Sequence, residues 1–402
     1  MRHEIFTKDE IALVKAKLPE VIQLFKDNVR KFSQYDKPLL LVGPQYPGIW
    51  LEHNQDNIFL ADYLPEDAWS SQTVFVDFQR EDGLIPFVIP YKTGEGTFFK
   101  SDACFWQIQS VYPLSQCALD IATKTNRPVQ DLEPIYNAVA KYDAWLMKYR
   151  NVAKTGLVEM FCEYDTGHDN DPRVTDGGIP HSCPGNDAAN MPDLPCMPIQ
   201  SVDLSAMLYG SRVAMAKIAT LLGKHDEAKK WEQAAKDIQA KINELLYDPE
   251  DNFYYDLSPQ GLRKYKTEHI TRLFLNKVLT QEQFDSIYDQ YFTVPSKHFN
   301  PNYPIPAVSV NDPHFVKECP HNSWGSNSQA NTALRAILWM DYYKRAGELD
   351  ALLAIWLKAF IKNDFNFAQE LHPHLGTPGG GLGNYSPSLI IFIEAAKRLG
   401  FA

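Results

Sequence analysis

The sequence predicts an all-α protein built as a ring of helical hairpins, an α/α barrel whose long loops form one active-site face. Three observations carry that reading. Apolar residues recur at three- and four-residue steps in segment after segment, the period of a helix with one buried face. The segments pair across short turns, whereas the pairs are joined by long stretches rich in Gly, Pro, His and acids, at 82–100, 150–200, 295–325 and 364–385. Finally, no shift in composition marks a boundary, so residues 1–402 are read as one domain.

The elements follow in order. Residues 8–34 carry Ile11, Val14, Leu18, Val21, Ile22, Phe25, Val29 and Phe32 on one stripe, with Thr7 and Glu10 spaced as a capping box. A helix over 65–80 stops before Gly83 and Pro86. Candidate pairs then lie at 101–124 with 130–149, 201–222 with 225–247, 267–278 with 280–292, and 327–346 with 348–362; a last helix covers 386–399. The second pair is the clearest, with Gly223 as its helix stop.

Composition bounds the function. A formal net charge of −11 argues against nucleic-acid or anionic-membrane partners, since both demand a basic face. No stretch is long and apolar enough to span a membrane, and the first ten residues lack the apolar core of a secretory signal, so a cytoplasmic protein is expected. Six cysteines form no CxxC pair. Cys162, Cys183 and Cys196 lie near His168 and His181, but the spacings fit no common zinc pattern; no metal or cofactor is expected. The 12% aromatic share suits either a large core or a sugar-binding cleft, which uses flat ring faces with polar tips.

Three places could carry chemistry. Residues 163–173 pack Glu163, Asp165, Asp169 and Asp171 around Gly167, with His168, Pro172 and Arg173. Carboxylates crowded together raise one another's pKa, so one of them can hold a proton near neutrality; composition does not say which, and a solvated turn is the bland alternative. Near the C-terminus, Glu370 stands alone among apolar residues before His372, Pro373, His374 and a glycine cluster at 379–383. No preceding strand and no Lys-Ser/Thr supports a phosphate loop there. Third, Tyr303 to Pro313 leads into His321, Asn322, Ser323, Trp324 and Gln329, a stacking face beside amide donors.

Together these places resemble glycoside hydrolase family 63 and the related neutral trehalases, and most of all the short mannosylglycerate-hydrolase-like members. The family's glycine one residue before Asp-Asn-Ser-Pro-Arg is similar to Gly167 through Arg173, and Val-Asp-Leu-Asn-Ala to Val202 through Ala206. Ile305–Pro313 resembles Ile-Pro-Ser-Val-x-x-x-Asp-Pro, Asp82–Pro86 matches Asp-Gly-Leu-Ile-Pro, and Phe367–Pro373 echoes Phe-x-Glu-x-Tyr-x-Pro without the tyrosine. Lys100–Phe105 is similar to Trp-Asp-Ser/Thr-x-Phe without its tryptophan. The Trp-Arg-Gly-Pro-x-Trp motif is replaced by Asn322–Asn327, nearer the Asn-Gly-Trp of trehalases and without the arginine, which leaves the substrate open.

The resemblance implies an (α/α)6 barrel of six helical hairpins in a toroid. It also implies inverting hydrolysis of an α-glycosidic bond in a small sugar substrate, with Asp169 as general acid and Glu370 as general base. Asp102, Arg173, Trp324, Gln329, Trp50 and His181 are the candidates for holding the substrate. Two rivals stand beside it. A sugar epimerase of the N-acylglucosamine 2-epimerase type would use His181, His321, His372 or His374 as acid and base, and a non-catalytic sugar-binding protein would use the acids only to grip hydroxyls.

Overall fold

Thr7 starts the first helix as its spacing predicts: its hydroxyl accepts from the Glu10 amide at 3.2 Å while the Glu10 carboxylate accepts from the Thr7 amide at 2.7 Å. The helix, Lys8–Asp27, ends earlier than the stripe to residue 34 suggests, capped by Asn28 and followed by a short strand at Val29–Lys31. The computed structural model describes residues 5–317, 323–379 and 383–402. Among them are thirteen α-helices, joined by 3-10 turns and strands of two or three residues. Contacts divide the chain into two compact units, Met1–Arg30, Leu41–Pro47 and Gln281–Ala402 in one, Lys31–Leu40 and Gly48–Thr280 in the other.

In the larger unit the hairpin Val202–Leu221 and His225–Leu245 matches the sequence reading closely. Gly223 closes it with φ of +76°, a left-handed conformation that other residues adopt only at a cost. The first helix is buried on nearly every side, from Val202 to Ala219, whereas the second buries only Ala228, Ala235, Ile238 and Ile242. A helix apolar all round is an interior one and a striped helix an outer one, so the pair has the inner and outer members of a helical hairpin layer.

Three expected helices are shorter than their patterns. The 101–124 helix begins only at Leu114, after Pro113, and residues 101–113 run irregularly. The 267–278 segment is a 3-10 turn, Glu268–Ile270, followed by one helical stretch, Thr271–Leu275. The 327–346 segment is helical over Ala330–Ala336. The apolar spacing is real, but in the first two segments buried polar residues such as Gln107, Gln109 and Glu268 interrupt it.

The expectation of an all-α chain also omits small antiparallel sheets. In the larger unit one sheet runs in the order Gly261–Arg263, Asp256–Ser258, Ile199–Gln200, Glu159–Met160, and a two-stranded one pairs Gly48–Trp50 with Val88–Pro90, Trp50 opposite Val88. In the smaller unit Glu370–Leu371 is the central strand between Ser328–Gln329 and Pro378–Gly379, with Gln329 and Gly379 both in register with Glu370. These strands are too short to add much stability, but they fix the registers of Trp50 and Glu370.

Candidate active site

Residues 163–173 leave the strand at Met160 as a 3-10 turn, Glu163–Thr166, closed by Gly167 at φ +75°. A Cβ on Gly167 would lie 2.5 Å from the Glu52 carboxyl carbon, so the loop needs glycine twice over, for its backbone angle and for the carboxylate packed on its Cα. The three aspartates that the sequence leaves equivalent then part company. Asp165 is fully buried, paired with Arg150 and accepting from the amides of Ile108, Phe161 and Cys162 at 2.8, 2.8 and 3.2 Å. Asp171 caps the helix Pro172–Thr175 through the Arg173 amide at 2.8 Å, and burial pushes its carboxyl up to about 6.

Asp169 instead lines a cavity of about 630 Å³ in the larger unit. Its carboxyl is pushed up to about 7, first by burial and then by the Glu52 and Glu163 carboxylates. It therefore holds its proton much nearer neutrality than an ordinary aspartate does. Both neighbours are held in place. Gln109 Nε2 donates to Glu52 at 2.7 Å, and Glu163 accepts from the Asn170 amide at 2.9 Å and bonds His181 Nδ1. Trp50, Phe87, Phe98, Phe99 and Trp106 form one wall of the cavity, while Gln107, Gln109, Tyr164 and Ser182 supply polar atoms.

A buried ion cluster anchors the loop's other end. Arg173 donates to Asp256 at 2.7 Å and to Asp203 at 3.0 Å, and its guanidinium lies 2.8 Å from His168 Nδ1. On its far side His168 Nε2 meets Glu268 at 2.7 Å and Arg272 at 2.8 Å. The opposed charges hold Asp203 and Glu268 well below the usual carboxylate range against the cost of burial. His269 beside them drops to about 4, through burial and the Arg173 charge.

In the smaller unit Glu370 is fully buried and accepts hydrogen bonds from the Ser323 amide at 2.9 Å, Asn327 Nδ2 at 2.9 Å and Gln329 Nε2 at 2.7 Å. N–H donors converging on both oxygens favour the ionised form of a carboxyl. Gly379 lies against it, where a Cβ would come within 2.9 Å of Oε1.

The predicted residues thus fall into separate groups. Trp50 shares the Asp169 cavity, Gln329 holds Glu370, and Trp324 is buried directly after Ser323. Asp102 is exposed and accepts from Thr93 at 3.1 Å, and the exposed His181 stacks on Tyr164, ring centroids 5.3 Å apart. Arg173 is wholly buried in the ion cluster, which gives it the loop to hold in place of a ligand. His321 and Asn322 lie outside the described residues, as do Cys319 and the glycine-cluster residues 380–382. His372 Nδ1 accepts from the amides of His374 and Leu375, and burial lowers its pKa.

Sequence reasoning missed Glu52 and Gln109, and it named Ser323 and Asn327 only as members of a motif. For Glu52 a signal existed: Glu52 to Asn57 is a polar run before Ile58-Phe59-Leu60, and Asn54, Gln55, Asp56 and Asn57 are all buried. The suspected metal residues are partly united, since Cys162, Asp165 and Cys183 place their ligand atoms within 4.8 Å of one another. The Arg150 guanidinium occupies that position, bonding Asp165 and, at 3.3 Å, the Cys183 sulfur, and its charge disfavours a second cation.

Residues 60–387 match the family described as mannosylglycerate hydrolase MGH1-like glycoside hydrolase domain. The fold is similar to that of the GH63 mannosylglycerate hydrolase from Thermus thermophilus solved with Tris, at a TM-score of 0.74 and 16% identity over 93% of this chain and 99% of that one. The same enzyme with Tris and D-glycerate gives 0.73, at 16% identity over 93% of this chain and 98% of that one. Neutral trehalase Nth1 from Saccharomyces cerevisiae gives 0.65, with 14% identity over 94% of this chain and 81% of that one. A stretch of 120 residues is 22% identical to an uncharacterized protein of Borreliella burgdorferi, covering 29% of this chain and 24% of that relative. Among the described residues, no helix is long and apolar enough to cross a membrane.

Proposed function

Because the chain belongs to the mannosylglycerate hydrolase MGH1-like glycoside hydrolase domain family, we propose that it hydrolyses an α-glycosidic bond of a small glycoside or oligosaccharide with inversion. Asp169 is the general acid that protonates the leaving oxygen, and Glu370 is the general base that takes a proton from the attacking water. The observation that carries this reading is the Asp169 carboxyl, raised to about 7 in a cavity walled by aromatic rings. An acid must hold its proton at working pH, and a base must not; carboxyl groups in contrasting surroundings divide those tasks.

Trp50 offers a ring face to the substrate. Gln329 and Asn327 orient the base, Trp324 shapes the segment that supplies Ser323, and Asp102 and His181 contribute from exposed positions. The reading takes residues 1–402 as one (α/α)6 toroid in the cytoplasm, supported by the inner and outer helix pairing and by the barrel architecture of the neighbours. Its substrate is a small sugar, and neither proton transfer needs a cofactor.

Purified protein is tested on α-glucosides, α-mannosides, trehalose and glycosyl-glycerates, with NMR of the first-formed anomer. A β product from an α-glycoside is expected, lost in Asp169→Asn and Glu370→Gln. An α product refutes inversion, and full activity in either variant refutes its role. Sugar isomerisation without hydrolysis supports the epimerase, and tight sugar binding without turnover supports the binding protein.

A further inference from the structure

The cavity around Asp169 is lined by Trp50, Phe87, Phe98, Phe99 and Trp106, which pack on one another as one aromatic cluster. Trp50 packs against Phe87 and Phe99 at 5.6 and 6.0 Å between centroids, and Trp106 stacks on Phe99 at 6.1 Å with planes 15° apart. Phe98 stands edge-on to Phe99 at 5.0 Å and is 81% exposed, a large apolar side chain left at the cavity's rim.

Two cations line the same space. The Arg80 guanidinium is held between Asp82 and Asp187 at 2.7 and 2.8 Å, and Lys100 donates to the Gly94 and Thr97 carbonyls. Against them stand the Glu52 and Glu163 carboxylates, close enough to raise the pKa of Asp169, and the two carboxylates that already neutralise Arg80, while Asp169 itself, as the acid, carries its proton and no charge. Counted with these neighbours behind the lining, carboxylates around the cavity outnumber its cations.

We propose that this aromatic wall is the leaving-group subsite and that it takes a neutral, flat-faced ring, a second pyranose, rather than a small anionic acid. The proposal rests on Asp169 being the general acid. An acid must reach the glycosidic oxygen, and that atom joins the sugar to its leaving group, so the leaving group lies within reach of the same cavity walls. Pyranose rings present C–H faces that pack on aromatic faces without needing a charge partner.

The test uses the full chain and matched gluco- and manno-configured sets, each comprising an α-glycosyl fluoride, an α-linked disaccharide and an α-glycosyl-glycerate. The disaccharide and the glycerate have alcohol leaving groups of comparable chemistry, and the fluoride has no ring to seat. The expected result is a kcat/KM for the disaccharide about tenfold or more above that for the glycosyl-glycerate. Phe98→Ala should then lower the ratio of disaccharide to fluoride turnover several-fold, mainly through KM. That variant removes an exposed ring, so folding is not at stake, and Trp106→Ala repeats the test deeper in the wall. A glycosyl-glycerate processed equally well or better, or a ratio unmoved by Phe98→Ala, overturns the subsite. If wild-type protein leaves even the fluorides intact, the hydrolytic reading fails and the subsite falls with it.

Discussion

The Asp169 loop and the Glu370 strand each present one carboxyl, and they hold it by opposite means. Around Asp169 the protein withholds compensation: burial and two further carboxylates favour the protonated form. Around Glu370 it supplies compensation, with N–H donors on both oxygens. Each carboxyl also rests near a glycine that makes room, Gly167 for the Glu52 neighbour and Gly379 for Glu370 itself. In the proposed pair, acid and base are distinguished by their surroundings, not by residue type.

The strongest way to break that comparison is to neutralise each carboxyl in turn. Asp169→Asn and Glu370→Gln should each lower kcat on alkyl glycosides by about 10²–10⁴-fold. Asp169→Asn should spare α-glycosyl fluorides, whose leaving group needs less help from an acid, whereas Glu370→Gln should not. Equal losses on both substrates would erase the distinction. Asp169 also links the comparison to stability. Its folded pKa of about 7 exceeds the ordinary 3.8, so the folded state binds the extra proton and stability falls as pH rises from about 4 through about 7. Asp169→Asn should therefore unfold at a higher temperature than wild type at pH 8, with the gap closing toward pH 4.

Gly167→Ala comes next, with an expected loss of about 1–3 kcal/mol in chemical denaturation, from the left-handed backbone angle and the Glu52 contact. Gly379→Ala has no positive φ to strain, so it should lower kcat by moving Glu370 while changing the unfolding midpoint less. Gln329→Leu removes a donor to the base and should cost about tenfold in kcat. The smallest effect is a shift in pH. Glu52→Gln removes the larger of the two charges that raise Asp169, so the alkaline limb of the kcat/KM profile should move to lower pH; an unmoved limb would mean that burial alone sets the acid.

Much of this was legible in the residues, for physical reasons that also explain what was not. The 202–245 hairpin could be read because twenty-residue amphipathic runs repeat their period many times over. Glu370–Leu371 could not be read as a strand, because two residues carry no period at all. The acid cluster of residues 163–173 stood out in the chain, and only the resemblance around Gly167 and Arg173 pointed to Asp169 within it, whereas Glu52, more than a hundred residues earlier, reaches it only through folding. Arg173 shows a subtler limit. A motif reports that a side chain is close to the chemistry, but not whether it faces the ligand or the core, and this one faces Asp203 and Asp256.

That buried cluster has a consequence for how the protein should answer to salt. Mobile ions screen charges they can approach, such as Arg345 with Asp285 and Asp289 at the surface, and such pairs weaken as ionic strength rises. Arg173, Asp203, Asp256, Glu268 and Arg272 are sealed from solvent, so added salt leaves their mutual attraction nearly intact. Concentrated salt should therefore loosen the outer helices first and the anchor of the Asp169 loop last.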